Sequence, residues 1–434
     1  VTDLLAQPLA LPCGARLPNR LCKAAMTEGL ADPQLRPTER HVALYRRWAE
    51  GGAGLLLTGN VQIDRRVLER PANVALDPAP PDAETLRRLR AWSRAGTSAG
   101  NHLWMQISHA GRQSPWYVTR EPLAPSPVQL KLLANYAKPR ALREEEILDF
   151  IQRYARVAAT AREAGFTGVQ IHAAHGYLLS SFLSPVTNRR TDAWGGSLEN
   201  RARMLIETIR ATRKAVGADF PVSVKLNSDD FRKGGFTHEE CLQVVRWLND
   251  ERLDLLELSG GTYEQPRLLG YAGKDADATP QRASTRQREA YFLDYATDVR
   301  RIATMPLMVT GGFRTRAGIE EALGGGAVDV VGLGRPLCGE PDLPKRLLAR
   351  QIDALPRYEK RMQLGPGILG PTTKVFLFRL INVFGQQGWY YLQLYRLADG
   401  LGPNLKLGVF GAFWRYLADE YRQAWRMHRA RRHS

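Results

Sequence analysis

The sequence predicts an α/β fold, a (β/α)8 TIM barrel, on three observations. Eight short apolar runs recur along the chain, each followed by an amphipathic stretch. No G-x-G-x-x-G follows the first run, which argues against the rival doubly wound sheet. The last two repeats carry the glycine-arginine turns Thr310-Gly311-Gly312-Phe313-Arg314 and Gly332-Leu333-Gly334-Arg335-Pro336, at the loops where barrel enzymes commonly hold phosphate.

Apolar periodicity places the strands at Lys23–Met26, Gly54–Asn60, His102–Ser108, Gly168–Ala174, Val222–Ser228, Asp254–Gly260, Pro306–Gly312 and Val328–Arg335. The helices between and after them fall at Thr38–Glu50, Asp82–Ala99, Arg143–Ala164, Ser197–Val216, Thr237–Glu251, Thr285–Ala303, Thr315–Leu323 and Asp342–Ile352. Thr38 reads as a plain N-cap, and Thr237 with Glu240 as a capping box. Gly165, Gly217 and Gly324 stand where helices should stop. Residues Leu9–Leu21 read as a hairpin under the barrel. Gly111–Arg140, with five prolines and little periodicity, reads as a lid or wall over the mouth.

The barrel should end near Ile352, leaving a helical extension over residues 353–434. Thr372–Gly400 is rich in aromatics, and Leu380–Tyr395 carries no charge. That run is shorter than a membrane span and is broken by amides and glycines, so a span is excluded. Phe413–Arg432 reads as a basic helix. The chain has a net charge of +17, and residues 351–434 hold 13 Lys/Arg against 5 Asp/Glu. A basic surface attracts anions, but the charges read as a solvated end rather than a nucleic-acid site. The extension should pack on the barrel or across a homo-oligomer interface; the alternative is peripheral contact with the inner face of an anionic membrane. Cys13, Cys22, Cys241 and Cys338 have no disulfide, zinc or iron–sulfur spacing, and the chain opens without a secretory leader, so a cytoplasmic protein without a metal is expected.

The most informative stretch is Gln170-Ile171-His172-Ala173-Ala174-His175-Gly176-Tyr177. It puts two imidazoles and a phenol at the carboxyl end of the fourth strand, where barrel enzymes keep their chemistry. Together they can hydrogen-bond a carbonyl oxygen and deliver a proton. As zinc ligands they lack a third partner. Lys225 interrupts the apolar strand Val222-Ser223-Val224-Lys225-Leu226 and needs a compensating anion. A reduced flavin, or an ion pair with Asp229, Asp230 or Glu257, would supply one. Gln106 offers donor and acceptor together, which suits an isoalloxazine edge. Thr27, after the first strand, can hydrogen-bond a flavin C4 oxygen. The glycine turns let backbone approach a phosphate, and their arginines neutralise it.

These residues resemble a known family. Lys23-Ala24-Ala25-Met26-Thr27, the Gln106 segment and His172–Tyr177 look like those of the old yellow enzyme family of FMN-dependent NAD(P)H:flavin oxidoreductases. The most specific part is the run from Ser181-Phe182-Leu183-Ser184-Pro185 through Asn188-Arg189-Arg190-Thr191-Asp192 to Gly195-Gly196-Ser197-Leu198-Glu199-Asn200-Arg201. The resemblance covers roughly Leu4–Ile352. It implies FMN at the carboxyl face of the barrel, bordered by Ala25, Met26 and Thr27. It also implies Gly59 and Gln106 on the ring, Lys225 facing N1, and Gly311, Gly312, Arg314, Gly334 and Arg335 around the phosphate. His172 and His175 would bind the substrate carbonyl oxygen, and Tyr177 would be the proton donor. The implied activity is NADH- or NADPH-driven reduction of α,β-unsaturated carbonyls, with hydride from flavin N5. Flavin-dependent C–N oxidation, and a flavin-bearing protein docked through its tail, are the alternatives. The chain departs from the family at Glu28-Gly29, where some bacterial members carry an aromatic substrate contact. Only Cys338 lies near the position of the cysteine cluster in the dienoyl-CoA reductase and trimethylamine dehydrogenase relatives, so neither their iron–sulfur centre nor their appended nucleotide domain is expected.

Overall fold

The computed structural model describes residues 3–77, 80–260, 294–370 and 373–432. Eight strands form its centre: β1 Leu21–Lys23, β2 Leu55–Leu57, β3 His102–Ser108, β4 Gly168–Ala173, β5 Val222–Asn227, β6 Leu255–Ser259, β7 Leu307–Thr310 and β8 Val330–Leu333. Each is parallel to the next, and β8 pairs back onto β1, with Leu333 opposite Lys23. The sheet is therefore a closed barrel without edges. Side-chain alternation sorts every strand. In β4, Val169 and Ile171 join the main core that the helices share, while Gln170 and His172 lie on the opposite face of the strand, inside the barrel. The lower interior is apolar, built from Leu55, Leu57, Trp104, Leu255, Met308 and Val330.

The hairpin pairs Leu9 with Leu17 and Ala10 with Arg16. Its Leu9, Leu11 and Leu17 belong to that same lower cluster, so it plugs the bottom as the sequence suggests. β1 starts and stops earlier than expected. The Asn19 side chain receives the Leu21 N–H at 3.0 Å and opens the strand. At the other end the Ala24 N–H is the last to find a partner, on the Leu333 oxygen, because β2 and β8 both end there. Ala25 and Met26 thus leave the sheet and form part of the lip.

The helices are α1 Glu39–Glu50, α2 Ala83–Gly96, α3 Glu144–Glu163, α4 Leu198–Val216, α5 His238–Leu248, α6 over residues 294–300, α7 Arg316–Gly324 and α8 Leu343–Leu348. The first part of the helix expected over Thr285–Ala303 lies outside the described residues. Thr237 and Glu240 form the expected capping box. Thr38 is not a plain cap. Its N–H donates to His41 Nδ1 at 3.1 Å, and its hydroxyl donates to the Leu30 oxygen at 2.8 Å. His41 can accept because burial lowers its pKa to about 3 and keeps it neutral.

Two further helices end the chain, α9 Phe376–Ala398 and α10 Val409–Arg431. The connection folds back along α9, where the Asn404 N–H bonds the Gln393 side chain at 2.6 Å, so both helices run the same way. Close contact needs glycine. A Cβ on Gly385 would meet Val409 at 2.5 Å, and one on Gly388 would meet Tyr416 at 2.5 Å. Leu394, Tyr395, Leu397 and Ala398 join the core of α1. Arg47 donates to the Leu397 and Leu401 oxygens, satisfying carbonyls at the end of α9.

From there α10 crosses the carboxyl face of the barrel. Glu420 pairs with Arg70 of the loop after β2, Gln423 donates to the Gly29 oxygen, and His428 donates to the Tyr117 oxygen. Its outer face leaves Phe410, Trp414, Tyr421 and Trp425 exposed, at helical spacing, with Arg415, Arg422, Arg426 and Arg429 beside them. Among the described residues no helix is long and apolar enough to cross a membrane. The four cysteines are free.

Candidate active site at the barrel mouth

Above the apolar interior the strands present a polar layer. Register sets Gln106 beside Gln170, and Lys225 beside both His172 and Glu257. Gln106 Nε2 donates to Gln170 Oε1 at 2.6 Å, and Gln170 Nε2 donates to Glu257 Oε2 at 2.8 Å. Lys225 Nζ stands 2.9 Å from Glu257 Oε1. Of the three carboxylates considered for Lys225, Glu257 is the one it meets. The pair makes a buried cation tolerable. It also orients the amide of Gln106 through Gln170, because a carboxylate can only accept. Gln170 and the Glu257 relay were not singled out in the sequence. The signal was there, a glutamine and a glutamate inside otherwise apolar strands.

The two histidines and the tyrosine come together over this layer. The His172 ring is 5.3 Å from that of His175 and 4.8 Å from that of Tyr177, both edge to face. His172 Nδ1 accepts the Ala174 N–H at 3.2 Å, which leaves the proton on Nε2 as a donor. His175 Nε2 meets Ser259 Oγ at 2.6 Å. His175 has φ of 62°, in the left-handed region, held by its N–H on Asn227 Oδ1 and its oxygen on Gln113. Burial is the main force lowering both imidazole pKa values well below the ordinary range. Lys225 adds to it for both rings, as does His175 for His172. Both rings are therefore neutral hydrogen-bond donors rather than acids at neutral pH.

The lip after β1 and β2 holds Ala25 and Met26 half-buried and Thr27 buried. Thr27 donates to Glu69 at 2.8 Å, and Asn60 Nδ2 donates to the same oxygen at 2.5 Å. The Gly59 N–H donates to Glu28 Oε1 at 2.9 Å, and the Tyr45 hydroxyl also donates to Glu28. Beneath them Lys23 Nζ donates to the Leu57 oxygen and faces the Trp48 ring at 4.2 Å; burial lowers its pKa to about 8. These contacts of Glu28, Glu69 and Lys23 were not foreseen in the sequence reading, because their partners come from other segments of the chain.

On the opposite rim Gly311 and Gly312 have φ of 98° and 86°, a conformation that side-chain-bearing residues seldom adopt. Gly334 faces Met26, and Arg335 is exposed at the start of the short helix Pro336–Gly339. Arg314 pairs with Glu359 at 3.2 Å. The mouth also holds buried polar atoms without a hydrogen-bond partner: Asn60 Oδ1, Thr310 Oγ1 and the Tyr390 hydroxyl. Unpaired buried polar atoms, an oriented amide, an inward lysine and a glycine-arginine rim fit a polar, anionic, ring-bearing cofactor such as FMN. Among the described residues no cluster could hold a metal ion.

Comparison with known proteins bears on this site. A family model described as NADH:flavin oxidoreductase / NADH oxidase matches residues 5–353. An NADH-dependent flavin oxidoreductase from Neonectria sp. (strain DH2) is 38% identical over 78% of this chain, which spans 46% of that protein. A second, from Talaromyces variabilis, is 34% identical over 91% of this chain and 98% of its own length, a match that runs past the barrel into the C-terminal helices. Among solved structures, the old yellow enzyme homologue from Zymomonas mobilis superposes with a TM-score of 0.66 at 26% identity, over 81% of this chain and 94% of its own.

Proposed function

The chain belongs to the NADH:flavin oxidoreductase / NADH oxidase family, and on that premise we propose that it is an FMN-dependent ene-reductase acting on α,β-unsaturated carbonyl compounds. The observation that carries the reading is the close cluster of His172, His175 and Tyr177 above Gln106 and Lys225. When bound at the mouth and reduced by NADH or NADPH, FMN would supply hydride for the β-carbon of the substrate. The roles of the chain's own residues follow from their chemistry. Lys225 and Gln106 would hold the pyrimidine edge, and the turns at Gly311, Gly312, Arg314, Gly334 and Arg335 would hold the phosphate. His172 Nε2–H donates to the carbonyl oxygen and stabilises the negative charge that develops there, with His175 beside it. Tyr177 then protonates the α-carbon. Residues 1–352 form the catalytic barrel and 353–434 an extension that completes its rim.

The test is anaerobic. The yellow protein should bleach with NADH or NADPH and recover its colour with a cyclic enone, giving the saturated ketone as product. Bleaching by an N-methyl amine with no recovery of colour on adding the enone, or no bleaching by either nicotinamide, would rule the reading out.

We also propose that the exposed face of α10 rests on an anionic lipid surface. Its aromatic stripe and flanking arginines support this by charge complementarity and by the preference of Trp and Tyr for the interface. The protein should co-sediment with vesicles containing phosphatidylglycerol but not with pure phosphatidylcholine, and raised salt should release it. Substituting Trp414→Ala, Trp425→Ala, Arg422→Glu and Arg426→Glu together should abolish this binding. Retained binding, or a dimer dissociated by the same substitutions, would refute it.

A further inference from the structure

Tyr390 sits on α9, in the extension, remote in sequence from the barrel residues that point to the cofactor. Its ring packs edge-on against Trp389 at 5.2 Å, and Trp389 in turn lies 5.2 Å from Tyr358. The Tyr358 hydroxyl donates to Glu340 at 2.6 Å. These contacts seat α9 against the short helix Pro336–Gly339, which Arg335 opens. On the neighbouring turn Arg314 pairs with Glu359. The Tyr390 hydroxyl is thus brought to the rim formed by the two glycine turns.

It is buried there and makes no hydrogen bond. A buried hydroxyl without a partner costs about as much as a lost hydrogen bond, so an unpaired one calls for a reason. Arg335, Glu359 and Arg314 are the charges around it, and burial pushes its pKa up, so it stays protonated and can donate. Glu359 is the acceptor among those charges, yet it is engaged by Arg314 and does not receive the hydroxyl. An anion seated between the glycine turns would accept from the hydroxyl and lie in the field of both arginines.

We propose that Tyr390 donates its hydroxyl to the phosphate of FMN, so that the C-terminal extension supplies one contact to the cofactor which the barrel alone lacks. This rests on the reading of the mouth as an FMN site. It goes beyond that reading by assigning the extension a part in the site.

The test compares two flavins that differ only in the phosphate. Full-length wild-type protein and Tyr390→Phe, each stripped of flavin, are titrated with FMN and with riboflavin by flavin fluorescence quenching. Phenylalanine keeps the ring and its packing. The substitution should weaken FMN binding about tenfold, the size of one hydrogen bond to a charged group, and leave riboflavin binding unchanged. An unchanged FMN affinity would overturn the assignment, as would an equal loss for both flavins, which would mark a packing role. A wild-type protein that takes up neither flavin would sink the FMN site itself; wild-type binding with an unaltered variant would sink only the role of Tyr390.

Discussion

Replacing Tyr177 by phenylalanine should slow the reduction of a cyclic enone at least about a hundredfold, while flavin content and reduction by NADH stay near wild type. The argument is by elimination within the cluster. His172 and His175 are held neutral by burial and by Lys225, so neither carries a proton to give away at neutral pH. Each can still polarise a carbonyl through an N–H. The phenol, 4.8 Å from His172 between ring centres, is the remaining acid. Tyr177 is 3% exposed, and phenylalanine preserves its volume, so the barrel should not be disturbed. Stopped-flow measurement separates the two half-reactions. An oxidative half-reaction at the wild-type rate would remove Tyr177 from the mechanism.

The second large effect concerns the clasp between extension and barrel. Arg70 and Glu420 have side chains 4% and 2% exposed, and Arg70 Nε lies 3.0 Å from Glu420 Oε1. Tyr395 accepts from Arg70 at 2.8 Å, Tyr117 donates to Glu420 at 3.1 Å, and the guanidinium lies 3.8 Å from the centre of the Tyr391 ring. Removing one partner leaves a buried charge uncompensated. Glu420→Ala should therefore destabilise the docked α10 by about 3–5 kcal/mol. Arg70→Met combined with Glu420→Met removes both charges and should recover most of that loss, because a buried pair gains little over apolar side chains of similar size. Hydrogen exchange of the α10 amides reads the local opening energy directly. Exchange in Glu420→Ala within a few-fold of wild type would show that the clasp contributes little.

Much of the barrel was legible because its signals are local. Each strand is a short apolar run, and the alternation in Gly168–Ala173 already separates the outward Val169 and Ile171 from the inward Gln170 and His172. The cluster of His172, His175 and Tyr177 could be read because one turn of chain carries all three. What escaped depends on partners far apart. Glu257 orients Gln106 through Gln170, across three strands. Arg70 meets Glu420 at a separation of 350 residues. The capping role of His41 was missed for another reason: a histidine caps a helix only when burial keeps its ring neutral. The extension was read correctly as helical. Its course over the mouth could not be read, because periodicity gives a helix its buried face but not the surface that covers it.

That course has a consequence for biosynthesis. β8 ends at Leu333, and Glu420 lies about ninety residues further on. At about 5–20 residues per second a ribosome needs roughly five to twenty seconds to traverse that interval. Throughout it the nascent barrel already has every strand it needs to close, while its upper rim is still bare of α10. Until Glu420 has emerged the carboxyl face stays open to solvent, and only afterwards can its pairing with Arg70 lay α10 across it.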